Sequence, residues 1–372
     1  MAALRAGTAP ILLVLLPCPC NRRSHDDAPP DTPPRHLDRP QRARPPPEGP
    51  LMRSGLALAA GLLAGLWLDT NRRTNRAERD HPPTGHFMDV DGTRLHYLDR
   101  GPRNGKARPV VFLHGNGTTA DDWSLSLLDE ASRRWRCVCF DRPGHGYSEG
   151  TPRRDAGPAA QAALLRAATR KLGLERPIIV GHSLAGAVAL AWALEFPEEV
   201  GGLVILSAFT HPVPRADFIP LMGPAIPAVG PLLSRTVLQP VDRMILPALM
   251  RRIFEPNPVP PAYNQLPPDF LLRPTQLEAA AAQLAALVPG VAAMVSRYPE
   301  IRCPTTIVAG REDRIVDPQA HAVRLHGAIG GSTLHLLAGT GHMPQHARPE
   351  AVMAAIERVD RAVAAELAYA VT

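Results

Sequence analysis

Pro177-Ile178-Ile179-Val180-Gly181-His182-Ser183-Leu184-Ala185 runs from an apolar strand into a turn that holds one serine between small residues. The stretch that follows, Leu184 to Leu194, is apolar and rich in helix formers. Strand, sharp turn and helix in that order read as a nucleophile elbow. Such a turn needs small residues two positions either side of the serine, where a side chain would clash across it, and Gly181 and Ala185 stand there.

A serine hydroxyl is a weak nucleophile until a base takes its proton. The elbow therefore predicts a carboxylate and a histidine downstream, in the order Ser, Asp/Glu, His. Asp313 leaves the apolar run Thr305 to Ala309 on a short loop, and His342 sits in the glycine-rich loop after Thr333 to Leu337. Asp317 is the nearby rival for the acid, but it precedes Pro318 as a helix N-cap would. Upstream, Val110 to Leu113 leads into His114-Gly115-Asn116-Gly117. A backbone N–H from that loop, that of Asn116, is expected to join the N–H of Leu184 in binding an oxyanion. The other histidines read as structural: His114 braces this loop, His182 points away from the nucleophile, His145 belongs to a turn, and His346 is exposed.

With Asp141-Arg142-Pro143-Gly144-His145-Gly146-Tyr147-Ser148 added, these segments closely resemble the α/β-hydrolase superfamily over roughly residues 86–368. One departure is Ala185, where the commoner residue is glycine; a methyl group is usually tolerated there. The resemblance implies an α/β-hydrolase fold with a mostly parallel sheet and helices on both faces. It also implies catalytic roles for Ser183, Asp313 and His342, an oxyanion hole at Asn116 and Leu184, and chemistry that needs no cofactor and no metal. Epoxide hydrolases and dehalogenases of the superfamily carry aspartate at the elbow, so Ser183 argues against both, although the His-Gly-Asn loop is similar to that of the dehalogenases. Serine with an oxyanion hole suits acyl transfer on an ester, thioester or related carbonyl. Carbon–carbon bond hydrolases and cofactor-free perhydrolases share the triad and stay open. A non-catalytic ligand-binding member of the fold would be expected to lack a triad residue, and none is missing.

Hydrophobic patterning supplies the architecture independently. Asp91-Gly92 between Phe87–Val90 and Thr93–Tyr97 is a hairpin signal. Strands near 110–113, 136–140, 177–181, 202–206, 305–309 and 333–337 alternate with helical runs, and 349–367 has helical spacing. The core is thus expected over 86–207 and 300–372. Between them, 208–299 shows no strand pattern and is far longer than an ordinary connection. Its 15 prolines between 212 and 274 separate short helical stretches such as Leu232 to Leu238 and Ala248 to Phe254. In the resemblance this is a helical cap over the site, admitting a small hydrophobic substrate; Phe218, Met222, Phe254 and Tyr263 are candidates to line its pocket.

The formal charge of +6 is unevenly spread: residues 1–80 hold 12 arginines against 8 acids, leaving a nearly balanced remainder. No basic patch for nucleic acid follows. Of the five cysteines, Cys137 and Cys139 alternate on one strand, where bridging is geometrically poor, and read as buried thiols. Residues 1–50, dense in Pro and Arg, read as disordered, and Met52 is an alternative start. From Gly55 to Leu68 run 14 uncharged, mostly apolar residues, followed by Arg72, Arg73, Arg76 and Arg79. A helix of that length covers about 21 Å, short of the roughly 30 Å hydrocarbon core, so 51–80 is expected to be a membrane anchor and linker rather than a clear span. The arginines favour a cytoplasmic catalytic domain, although Arg35 to Arg44 blur that bias; a surface helix docked on the domain is the alternative.

Overall fold

The computed structural model describes residues 50–103, 108–151, 154–213 and 219–370. The stretch 1–49, with its expected disorder, and Phe218 lie outside the described residues. Eight strands form one sheet: β1 His86–Val90, β2 Thr93–Arg100, β3 Val110–Leu113, β4 Cys137–Phe140, β5 Ile178–His182, β6 Gly202–Leu206, β7 Thr305–Gly310 and β8 Thr333–Leu337. Their order is β1-β2-β4-β3-β5-β6-β7-β8, antiparallel through the first two pairings and parallel beyond. Asp91 and Gly92 both take positive φ, 49° and 75°, as the tight turn between β1 and β2 requires.

Every residue of β3, β4, β5 and β6 is buried, which is why these strands read as unbroken apolar runs rather than alternating ones. The period of two survives in where they pack. Val111, Leu113, Val138 and Ile179 face one core, while Val110, Phe112, Cys137 and Ile178 face the other. Seven helices of seven residues or more are described: α1 Pro50–Asp80, α2 Pro158–Lys171, α3 Leu184–Glu195, α4 Val229–Arg235, α5 Leu238–Phe254, α6 Pro274–Met294 and α7 Pro349–Ala370. Residues of α2 and α3 fill the first core and those of α7 the second, so the sheet is covered on both faces. Leu184 to Leu194 of α3 are all buried, as expected of a helix that is apolar all round. Cys137 and Cys139 are buried free thiols whose pKa values burial pushes up.

Helices α4, α5 and α6 all lie between β6 and β7. The expected break points differ from the observed ones. Thr236 and Val237 interrupt the stretch Leu232 to Leu238, whereas Pro247 stays inside the continuous 17-residue α5. An internal proline removes one N–H bond without stopping a helix that is otherwise held in place. Among the described residues one helical run, Pro274–Glu300, is long and apolar enough to cross a membrane, with mean hydropathy 1.7. It includes α6, whose Leu284, Leu287 and Val291 belong to the sheet's first core.

The apolar segment 55–68 and the arginines after it form a single 31-residue helix, α1. Its C-terminal half docks: Ala77 packs with Phe254, Tyr263 and Phe270, and Glu78 pairs with Arg273 at 2.9 Å. Its apolar N-terminal half stays exposed, Leu58 to 77% and Leu62 to 65%.

Candidate active site

Ser183 sits between β5 and α3 with φ 56° and ψ −121°, a left-handed strained conformation that lifts its side chain off the strand end. The tightness of that turn explains Gly181: a Cβ there would lie 2.7 Å from the Ala185 carbonyl oxygen. Gly115 is needed for a second close approach, since a Cβ on it would stand 3.0 Å from His182 Nδ1 and 3.4 Å from Ser183 Cβ.

The three residues expected from the motif order meet in space. His342 Nε2 lies 3.0 Å from Ser183 Oγ, and His342 Nδ1 lies 2.9 Å from Asp313 Oδ2. All three are buried, at 6%, 5% and 7% exposure for Ser183, His342 and Asp313. The other Asp313 oxygen accepts the backbone N–H groups of Ile315 (2.8 Å) and Val316 (2.9 Å), which fixes the carboxylate's orientation. Burial alone would raise Asp313, but the His342 imidazole and these N–H groups outweigh it and hold the carboxyl below its usual range. Asp317 accepts the N–H of Ala320 at 2.8 Å, the capping contact its position before Pro318 suggested. Asn116 lines the same cavity as Ser183 and His342, and its amide donates to the Ala280 carbonyl of α6 at 3.2 Å. Leu184 is the first residue of α3, within the turn whose N–H groups have no partner inside the helix.

Three other histidines, His182, His114 and His346, make contacts that hold loops around the site, and His182 also lines the cavity beside Ser183. His182 donates through Nε2 to the His342 carbonyl at 2.9 Å, and burial, then the nearby His342, pull its pKa down to about 4. His114 accepts the Arg142 N–H at 2.9 Å and bonds the Gly115 carbonyl at 2.8 Å, bracing the loop as expected. His346, expected to be exposed, has a side chain only 2% exposed and pairs with Asp122 at 2.9 Å. Pro344 opens a new helical turn, Pro344–Ala347, that folds this side chain inward against the turn Asp121–Ser124. Gln345 donates to the same Asp122 carboxylate at 3.0 Å, so the loop after His342 is tied down by two side chains. Burial opposes the Asp122 charge, but His346 and Gln345 prevail and keep its pKa low.

Arg142 is the functional residue that motif reading named without finding its role. Its fully buried guanidinium donates to the carbonyls of His114 (2.8 Å) and Gly115 (2.9 Å) and to the side-chain oxygens of Gln161 (2.9 Å) and Gln283 (2.5 Å). One cation thus joins the His114–Gly115 loop, α2 and α6.

Ser183 and His342 open into a cavity of about 320 Å³ lined mainly by apolar side chains of the insertion. Tyr263 lines it as expected; Met222 and Phe254 do not, their places being taken by Leu238, Ile245 and Leu249 along α5. No lysine or arginine among the described residues lines it, and its one carboxylate, Asp242, has its pKa raised to about 6 by burial. No described group of three or more His, Cys, Asp or Glu side chains is placed to hold a metal ion.

Asp242 should leave a trace in stability. Its folded-state pKa lies above the ordinary 3.8, so the contribution of the protonated carboxyl is present below about 3.8 and lost as pH rises through about 6. Asp242→Asn is therefore expected to stabilise the fold near pH 8, by about 1 kcal/mol after discounting for its partial exposure, and to change little near pH 3.5. Urea midpoints of both proteins at the two pH values check this, and equal midpoints near pH 8 would overturn it.

The sequence model of the alpha/beta hydrolase fold family matches residues 108–349. The chain is 31% identical over 300 residues to an uncharacterized protein of Mycobacterium tuberculosis, covering 78% of this chain and 85% of that one. It is also 31% identical over 262 residues to a 2-hydroxy-6-oxononadienedioate/2-hydroxy-6-oxononatrienedioate hydrolase of Pseudomonas putida, covering 69% and 88%. Among solved structures, the enol-lactonase of Burkholderia xenovorans superposes with a TM-score of 0.60 at 20% identity, over 73% of this chain and 99% of that one. With the eight-stranded sheet and the serine turn of β5 already in place, these matches decide the family: this chain belongs to the alpha/beta hydrolases and is a hydrolase.

Proposed function

We propose that the protein is a serine hydrolase that cleaves a neutral, hydrophobic ester or thioester. The observation that carries this reading is the hydrogen-bonded chain Ser183–His342–Asp313 at the floor of an apolar cavity. Ser183 Oγ attacks the substrate carbonyl while His342 Nε2 takes its proton, and Asp313 holds the imidazole in register. The N–H groups of Asn116 and Leu184 stabilise the oxyanion. The leaving alcohol or thiol departs with the proton from His342, and water then releases the acyl group from Ser183 by the same steps. No cofactor or metal enters this scheme. The helical insertion acts as the cap, its side chains gripping the acyl chain and excluding bulk water. The exposed apolar half of α1 keeps the enzyme at a membrane, with the catalytic domain on the cytoplasmic side.

Likeness to the Pseudomonas putida hydrolase favours a second reading, cleavage of a carbon–carbon bond by the same three residues. The cavity weighs against it: a dicarboxylate substrate calls for cationic partners, whereas the described lining offers none and adds Asp242. p-Nitrophenyl esters from acetate to palmitate, assayed alongside fluorophosphonate labelling, separate the two. A medium or long acyl chain is expected to give at least ~10-fold higher kcat/KM than acetate, since each buried CH₂ contributes about 0.8 kcal/mol. Labelling at Ser183 without turnover of any ester would refute the ester reading and favour the carbon–carbon one.

A further inference from the structure

The cavity does not end inside the protein. Ile245 and Leu249 of α5 line it and keep 47% and 42% of their surface accessible, so the cavity is open along this helix. Around them the outer face of the insertion is apolar: Leu232 on α4 and Val241 and Met244 on α5 are exposed, Met244 to 81%. So one helix presents apolar side chains to the site and to solvent at once, and isolated exposed leucines would not produce that continuity. A second apolar element is tethered beside it. The Asp269 carboxylate faces Arg73 of α1 at 3.7 Å and Arg243 of α5 at 2.5 Å, one residue before Met244. Among the described residues, the unpaired charges on these two helices are mostly cationic, set against only Asp80 at the end of α1 and the half-buried Asp242 of α5. Arg72, Arg76 and Arg79 on α1 and Arg251 and Arg252 at the end of α5 are exposed and make no ion pair among the described residues.

We propose that the outer face of α4 and α5, together with the apolar half of α1, lies in the headgroup and acyl boundary of an anionic lipid bilayer, so that a membrane-dissolved ester reaches Ser183 past Ile245 and Leu249. Apolar side chains enter the boundary while the unpaired arginines meet lipid phosphates, a combination that binds interfaces without spanning them. A substrate taken this way moves from acyl chains to an apolar cavity and is never fully exposed to water. The surface stands on its own observations; that an ester travels across it rests on the ester-cleaving function proposed above.

The test uses the full chain in flotation with vesicles of equimolar phosphatidylcholine and phosphatidylglycerol. Two triple variants are compared with the wild type: Leu232→Gln, Val241→Gln and Met244→Gln on the insertion, and Leu56→Gln, Leu58→Gln and Leu62→Gln on α1. None of these side chains lines the cavity. Each triple variant is expected to lose at least about tenfold in vesicle affinity. The insertion variant should lose a similar factor in hydrolysis of a long-chain ester dissolved in the vesicles, with p-nitrophenyl acetate turnover unchanged. An insertion variant that floats and hydrolyses like the wild type overturns the proposal. So does a wild-type chain that ignores vesicles but self-associates through this face, seen as an oligomer in sedimentation that the insertion variant abolishes. Normal flotation with no esterase activity in any of the proteins would instead sink the ester reading and leave the surface standing.

Discussion

Ser183→Ala is expected to lower kcat/KM on a short p-nitrophenyl ester by at least ~10³-fold while leaving the fold intact. The alanine removes only Oγ, whose hydrogen bond is to His342 Nε2 at 3.0 Å, and opens no cavity of note. His342→Ala should be about as damaging, because without it no group is placed to take the serine proton. Asp313→Asn should cost less, since the amide still accepts from Ile315 and Val316 but no longer matches the His342 tautomer. The three losses act on one step and should not add, so the double variant with Ser183→Ala should be no slower than Ser183→Ala alone. Steady-state kinetics with circular dichroism checks all four proteins; a serine-to-alanine variant that retains wild-type turnover would falsify the assignment.

Arg142→Met is the substitution expected to damage the fold most. Methionine keeps much of the length but leaves the carbonyl of His114 and the side-chain oxygens of Gln161 and Gln283 without this donor in a fully buried place, while the Gly115 carbonyl keeps only His114 Nδ1. Burial already pulls the Arg142 pKa down, and only these neutral oxygens hold the charge there. A buried acceptor left without a donor costs about 1–3 kcal/mol, so several together are a large share of the roughly 5–15 kcal/mol typical of a domain. Urea unfolding should show it as a shifted midpoint with an unchanged slope. Arg142→Lys, which keeps a charge but not the fork, should recover only part of the loss. A methionine variant within about 1 kcal/mol of wild type would show that the guanidinium is not the brace described above.

What was legible in the sequence was whatever local geometry dictates. The serine turn demands Gly181, the hairpin demands Asp91-Gly92, and central parallel strands demand apolar runs, so each left its mark within a few adjacent residues. The loops bearing Asp313 and His342 could be found because they follow such strands directly. Contacts across long separations left no such mark. Nothing near His346 announces a carboxylate 224 residues earlier, and nothing near Arg142 points to Gln283, 141 residues on. The cavity lining is legible only in part for the same reason: Tyr263 lines it and Phe254 does not, because α5 is one continuous helix through Pro247 that places Ile245 and Leu249 along the cavity. For α1 composition marks the apolar half and leaves a docked surface helix open as the alternative, but nothing in it singles out Ala77 and Glu78 as the residues that dock.

The left-handed backbone at Ser183, φ 56° with ψ −121°, separates two kinds of fitness at a single position. Glycine alone adopts that region without strain, so a selection that rewarded only resistance to heat would carry this site toward glycine. A selection that rewarded turnover would hold it at serine, since glycine brings no hydroxyl. Lineages that kept the scaffold but abandoned the chemistry would therefore be recognisable by a glycine at this turn, a more telling sign of lost activity than any change in the surrounding core.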